Sequence, residues 1–213
     1  FTRRYPLIEL DLRLNDRIVD LVAERVDVAL RVGPIRQAGL AARRVSQVNI
    51  VTCAAPAYLQ DHGEPKTPDE LREHKLVGLT SPSGAPPEWT FPPPYTPKRL
   101  GLKFSMLFNS AEAPIIAATA GLGITHTGDL LVAEYVGRGE LKLILEDFVM
   151  PGPPISLVYP SAGHQLAKVR VFSDFAADLL LRWNVEVRRW IKQPPRPPAP
   201  VSARLAQNPR EPT

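Results

Sequence analysis

The stretch 17–33 most strongly constrains the fold of this 213-residue chain. In it, an amphipathic segment is followed directly by a segment in which apolar and polar residues alternate and which ends at a glycine. Ile18, Leu21 and Val22 fall on one face of a helix. Apolar and polar residues then alternate over 26–32, as they do over 8–14, and this period of two is typical of half-buried strands. A strand, a helix and a strand in such close order predict a right-handed βαβ unit with parallel strands, and therefore an α/β fold.

Strands and helices are predicted to alternate along the rest of the chain. Runs of apolar or alternating residues predict strands at 45–54, 100–108, 122–126, 141–145 and 155–159. A proline or a polar capping residue predicts helix starts at Pro56, at Thr67-Pro68-Asp69-Glu70, at Asn109-Ser110 and at Asp129. A long last helix is expected to bury one stripe, formed by Val169, Phe172, Phe175, Ala176, Leu179, Leu180 and Trp183.

The composition is that of a globular protein with a substantial core, since 44% of the residues are hydrophobic and 23% are charged. Residues 191–213 hold four basic residues and one acidic residue, so they carry +3 of the net charge of +4. The remainder is nearly neutral, which argues against a nucleic-acid-binding face. We expect 191–213 to be a Pro-rich, basic and disordered tail. It is either a flexible terminus without a role or a ligand for a proline-binding partner.

The location of the protein is predicted to be cytoplasmic. No apolar run approaches the ~20 residues of a membrane span, and the first residues do not resemble a signal peptide. The single cysteine, Cys53, excludes an internal disulfide and a Cys-based zinc site. Its apolar setting predicts a buried, structural thiol, which fits a reducing compartment.

The sequence argues against an enzyme, and we expect no cofactor and no metal. The four histidines are scattered without the spacing of metal ligands, and neither a Gly-x-Ser-x-Gly elbow nor a P-loop is present. The run Gly121-Leu122-Gly123 lacks the third glycine of a dinucleotide-binding loop, and it precedes a predicted strand instead of following one.

Seven short motifs occur in order along the chain. They are Asp16-Arg17-Ile18-Val19-Asp20-Leu21-Val22, Asp27-Val28-Ala29-Leu30-Arg31-Val32-Gly33, Cys53-Ala54-Ala55-Pro56-Ala57-Tyr58-Leu59, Trp89-Thr90-Phe91, Ala120-Gly121-Leu122-Gly123-Ile124, Gly139-Glu140-Leu141 and Val158-Tyr159-Pro160. This series resembles the effector-binding domain of LysR-type transcriptional regulators over Phe1 to Trp183. Thr127-Gly128 departs from the Leu-Pro pair that is usual in the family. The winged helix-turn-helix, its linker helix, and the first strand and most of the first helix of the effector domain are expected before Phe1.

The resemblance implies a type 2 periplasmic-binding-protein-like fold, in which two Rossmann-like lobes are joined by two crossover strands. By the family pattern, lobe one holds 1–50 and 147–190 and lobe two holds 51–146, with crossovers near 50–52 and 143–145. A small anionic metabolite is expected in the cleft between the lobes. Further implied partners are a second copy, in a homodimer or homotetramer, and DNA through the missing domain alone. A transport-linked periplasmic solute-binding protein of the same fold is the alternative.

Two predicted helix starts supply the first candidate ligand contacts. Asn109 and Ser110 precede a helix whose free amides and dipole favour an anion, although plain capping needs the same residues. Asn15 and Asp16 have the same two interpretations at the start of the helix in 17–33.

Three further candidates lie at predicted strand ends or hinges. Arg31 interrupts an apolar strand, and it is expected either to pair with a ligand carboxylate or to form an internal salt bridge. Gly33 permits a close backbone approach or simply a turn, and Thr52 lies near a predicted hinge.

A polar run after the Gly-Leu-Gly turn completes the set. Thr125, His126 and Thr127 carry groups that can form hydrogen bonds to a ligand, while His126 can equally be a structural histidine with its hydrogen bonds satisfied. Tyr58 and Trp89 are interpreted as packing anchors.

Overall fold

The computed structural model describes residues 1–15, 17–35, 37–81, 84–161 and 166–192. Its strands are β1 (Ala29–Val32), β2 (Leu40–Ala54), β3 (Val77–Leu79), β4 (Met106–Phe108), β5 (Thr125–Gly128), β6 (Lys142–Ile144) and β7 (Met150–Pro160). Its α-helices are α1 (Pro56–His62), α2 (Pro97–Leu100), α3 (Ala113–Thr119), α4 (Asp129–Gly137) and α5 (Ala167–Lys192). Two short 3₁₀ helices span Pro68–Glu73 and Glu146–Phe148.

The long strand β2 organises the sheet. Five strands are joined in the order β1-β7-β2-β5, and β6 also pairs with β2. Residues 40–50 of β2 pair with β7, whereas 50–54 pair with β5 and β6. One strand therefore connects two different sets of partner strands, and the change of partner lies near the first predicted crossover. The lobe boundaries stay a prediction.

Two hydrophobic clusters pack near the end of β2. Side chains alternate across a strand, so Ala54 lies in one cluster while Val51 and Cys53 lie in the other. The first cluster contains Trp89 and Phe91 from the Pro-rich segment, and the second contains residues of α3 and α4. The end of β2 is thus held from both sides, which gives fixed positions to the polar residues on it.

The predicted N-terminal βαβ unit is wrong. Residues 8–14 form no strand and residues 21–25 form a turn. The strand predicted over 26–32 does form as β1, but it pairs antiparallel with β7. No strand among the described residues pairs with the other edge of β1, so the alternation in 8–14 finds no hydrogen-bonding partner. Of the predicted helix face, only Leu21 is buried, and a short helix without a packed face is marginal in water.

Other predicted elements are confirmed or shifted. The strands at 45–54, 141–145 and 155–159 and the helices at Pro56 and Asp129 are confirmed as β2, β6, β7, α1 and α4. The strand over 100–108 is reduced to β4, since α2 ends at Leu100 and residues 101–105 form neither helix nor strand. The strand at 122–126 lies two to three residues later as β5. Pro68 does start a helical segment, which is a 3₁₀ helix.

The stripe predicted for the last helix, α5, is confirmed in part, since Phe172, Phe175, Ala176 and Leu180 are half-buried. Val169 is buried, but Leu179 and Trp183 are 49% and 36% exposed. Ser173, Ala177 and Val187 are buried instead. The helix continues to Lys192, so the first two residues of the predicted tail are helical, and 193–213 lie outside the described residues. Within the described part of the chain, no helix is long and apolar enough to cross a membrane.

Candidate functional site

A cleft of about 450 Å³ lies between the N-terminal segment and the helices α3 and α4. Leu14 and Asn15 line one side, and the other side is formed by Ser110, Ala111, Glu112, Ile115, Leu131 and Tyr135. By the predicted boundaries, the first two residues belong to lobe one and the rest to lobe two. The volume is in the range of small-molecule sites in proteins. This cleft is the candidate binding site.

Two predicted site residues, Asn15 and Ser110, are brought together at the cleft from positions 95 residues apart in the sequence. Asn15 Oδ1 accepts a hydrogen bond of 2.8 Å from the Arg17 backbone N–H, so the side chain forms a local turn and not a helix cap. Asp16 lies outside the described residues, and Asn109 is exposed and does not line the cleft.

The prediction that Asn109 and Ser110 cap a helix is wrong, because α3 begins at Ala113 with Glu112 at the capping position. Pro114 is the reason. A proline has no backbone N–H and its ring clashes with the carbonyl four residues earlier, so a helix that started at Asn109 and Ser110 would be disrupted at Pro114. Asn109 and Ser110 therefore do not stand at the helix terminus on which the expected anion contact depends.

A second polar group, formed by Thr52, Thr125, His126 and Thr127, lies on the paired strands β2 and β5. Thr52 is directly opposite His126, and its Oγ1 lies 2.9 Å from His126 Nδ1. The imidazole ring packs against Trp89 and Phe91, with centroid distances of 5.2 and 4.7 Å. None of these four residues lines the cleft.

The environment of His126 keeps its ring neutral. Burial lowers the pKa of His126 from 6.5 to about 4, and the backbone of Thr90 acts in the opposite direction. Nε2 is buried and has no partner in hydrogen-bonding geometry among the described residues. A structural histidine with both ring nitrogens hydrogen-bonded is therefore found only in part, because Nδ1 has a hydrogen-bonding partner and Nε2 does not.

Arg31 and Gly33 have local roles in the structure. The Arg31 guanidinium donates to Gln37 Oε1 at 2.7 Å and to the Val19 carbonyl, and no ion pair engages it within the described residues. Gly33 is buried with φ +111°, a conformation that glycine adopts readily, and its N–H donates to the Pro154 carbonyl at 2.9 Å. Neither residue lines the cleft.

The packing roles predicted for Tyr58 and Trp89 fit the structure. Tyr58 is 2% exposed and Trp89 is 4% exposed, both within the first hydrophobic cluster. The Tyr58 hydroxyl accepts from the Lys75 backbone N–H at 2.9 Å and lies 3.2 Å from His74 Nδ1. Burial raises the pKa of Tyr58, in line with its place in the core.

A buried carboxylate joins α4 to β2. Asp129 is 5% exposed, and its oxygens accept hydrogen bonds from the backbone and side-chain N–H groups of Asn49 at 3.0 and 2.8 Å. The Leu130 N–H donates to it at 2.9 Å. Because Asn49 lies where the pairing register of β2 and β7 shifts, Asp129 fixes α4 to an irregular point of the long strand.

Six residues that line the cleft were not predicted from the sequence, namely Leu14, Ala111, Glu112, Ile115, Leu131 and Tyr135. Leu131 and Tyr135 are four residues apart on α4, so they share a helix face, but this spacing is equally typical of core residues. Glu112 carried no signal, since the predicted cap lay earlier in the chain.

Known proteins resemble this chain over most of its length. The family model described as the LysR substrate binding domain matches residues 1–180. An HTH-type transcriptional regulator of Xanthomonas campestris pv. campestris is 28% identical over 198 residues, which cover 92% of this chain and 57% of that protein. The HTH-type transcriptional regulator CrgA of Neisseria meningitidis is 31% identical over 183 residues, covering 84% of this chain and 60% of CrgA.

The fold is similar to a solved regulatory domain. The structure of the CrgA regulatory domain from Neisseria meningitidis has a TM-score of 0.76 at 29% identity, and the match covers 84% of this chain and 87% of that one. This likeness confirms the predicted type 2 periplasmic-binding-protein-like fold. The chain spans 57–60% of the length of the two curated relatives named above.

Proposed function

The chain belongs to the family of LysR substrate-binding domains, and on that premise we propose that it is the effector-sensing domain of a transcriptional regulator. The observation that carries this proposal is the cleft, which has two walls from distant parts of the sequence and the volume of a small-molecule site. Asn15 on one wall and Ser110 on the other offer polar groups to a bound molecule.

The proposed mechanism follows from the two walls. A ligand that touches both walls favours the lobe arrangement in which it makes the better contacts, and this difference in affinity shifts the population. The strand β2 and the Asn49–Asp129 hydrogen bonds connect the two predicted lobes, so a change at the cleft is carried into the sheet formed by β2 and β7.

The partners of the whole protein are part of the proposal. We propose a cytoplasmic homodimer or homotetramer that binds DNA through a winged helix-turn-helix outside this chain. Exposed leucines at positions 10 and 12 supply an apolar surface that suits pairing with a second copy. A transport-linked binding protein is not favoured, because the relatives named above are transcriptional regulators.

A thermal-shift screen of metabolites tests the proposal. A ligand present at 100 times its Kd stabilises the folded state by about 2.7 kcal/mol, which raises the midpoint of unfolding by several degrees. Leu131→Trp fills the cleft and is expected to abolish the shift. Ile116→Trp is the matched control, because Ile116 is a similarly exposed residue on the neighbouring helix α3 that does not line the cleft. If the screen finds no metabolite whose thermal shift is abolished by Leu131→Trp, the proposed function is refuted.

A further inference from the structure

The residues that line the cleft differ from those expected of an anion site. We infer that the ligand is an amphipathic cation, with an ammonium or similar group on an apolar body. This inference rests on the proposed function, since it assumes that the cleft is the effector site. It replaces the anionic metabolite that the sequence analysis predicts.

The charge at the cleft is negative. Among the described residues that line it, Glu112 is the charged one, and no hydrogen bond or ion pair engages its carboxylate within the described part of the chain. Arg138 packs over the Tyr135 ring at 5.1 Å. Its charge is offset by Glu134 at 2.5 Å and Glu140 at 3.4 Å, so Arg138 does not reverse the sign of the charge at the cleft.

The start of α3 is unsuited to an anion. Glu112 stands at the capping position, where its negative charge already complements the positive end of the helix dipole. Pro114 removes one of the free backbone N–H groups of the first turn. A carboxylate ligand here would meet the Glu112 charge without a lysine or arginine among the described lining residues to offset it.

The remaining surface of the cleft suits an apolar body. Leu14 is 89% exposed and Leu131 is 48% exposed, so a molecule held between them removes apolar surface from water on both walls. The Tyr135 ring adds an aromatic surface, which attracts cations as well as apolar groups. Asn15 and Ser110 supply hydrogen-bonding groups at the rim.

Three probes with the same phenylethyl body test the inference. They are phenethylammonium, phenethyl alcohol and 3-phenylpropionate, which carry a cation, a neutral hydroxyl and an anion. Amide and methyl NMR titrations of the 213-residue chain at pH 7 give the affinity of each probe and show whether the signals of Leu14, Leu131 and Tyr135 shift. The same titrations are made with Glu112→Gln and with Glu88→Gln, an exposed glutamate outside the cleft.

Phenethylammonium is expected to bind most tightly and phenylpropionate most weakly. Glu112→Gln should lower the affinity for the ammonium probe up to about fivefold, the upper range for an exposed ion pair, and leave that for the alcohol unchanged. Glu88→Gln should change neither affinity.

Two kinds of result overturn the inference. Tighter binding of phenylpropionate in the cleft, or an ammonium affinity that Glu112→Gln leaves unchanged, refutes the cationic class while keeping the cleft as a binding site. Absence of cleft binding by all three probes also refutes it. The proposed function has its own test: it is refuted if the metabolite screen finds no ligand whose thermal shift is abolished by Leu131→Trp.

Discussion

Protonation of His126 is predicted to make the protein markedly less stable in mild acid. The pKa of His126 is lowered from 6.5 to about 4 by burial, so the unfolded chain takes up a proton at a higher pH than the folded chain does. The contribution of neutral His126 to the free energy of unfolding is therefore fully present above about pH 7, and it is lost as the pH falls from 6.5 towards 4.

The size of the effect follows from the difference between the two pKa values of His126. A shift of this size corresponds to at most about 3 kcal/mol of unfolding free energy, at 1.36 kcal/mol per pH unit. About 2 kcal/mol of it is lost by pH 5. A loss of this size is a large share of the ~5–15 kcal/mol by which a domain is stable.

Urea unfolding followed by tryptophan fluorescence at pH 7.5, 6, 5 and 4.5 measures this loss. His126→Leu removes the titrating group and keeps the volume similar, so the variant should lose about 2 kcal/mol less than the wild type between pH 7.5 and pH 5. Thr52→Val is the control, because it removes the hydrogen-bonding partner of Nδ1 and leaves the buried ring. Parallel losses in the wild type and His126→Leu would refute the reasoning.

Three further predictions concern stability and reactivity. Asp129→Ala should cost about 1–3 kcal/mol in urea unfolding, because it leaves buried N–H groups without an acceptor, whereas Asp178→Ala on the exposed face of α5 should change stability by less than about 0.5 kcal/mol. Gly78→Ala should destabilise the fold by about 1–3 kcal/mol, since a Cβ there would lie 2.7 Å from Pro87 Cγ; a wild-type melting temperature would contradict this. Cys53 is fully buried with a pKa raised to about 12, so it should react with iodoacetamide only after unfolding, and labelling of the native protein would disprove its burial.

Local sequence patterns correctly predicted those strands and helices that find a pairing strand or a packing surface in the rest of the chain. The apolar run of β2 and the cap signal of α4 gave the right elements, because the sheet and the helix packing complete what the pattern requires. The alternation at 8–14 is as clear as that of any strand, yet no described strand pairs with it. The period of the apolar residues determines which side chains share a face, but a strand also needs a neighbouring strand with which to pair.

The candidate site was predictable only in part. Separate local patterns point to Asn15 and Ser110, and their meeting at one cleft depends on tertiary packing that no spacing reveals. The helix start at Asn109 failed because the rule for polar caps was applied without the constraint that Pro114 imposes. Glu112 changes the expected ligand charge, and its importance appears only once the two walls face each other.

A single NMR measurement tests the central claim most directly. The strongest binder from the metabolite screen is added to protein with ¹³C-labelled leucine methyl groups, and intermolecular NOEs are recorded. The account predicts that protons of one bound molecule give NOEs to the methyl groups of both Leu14 and Leu131, the two walls of the cleft. NOEs to one wall alone, or to neither, would contradict a ligand that bridges the lobes.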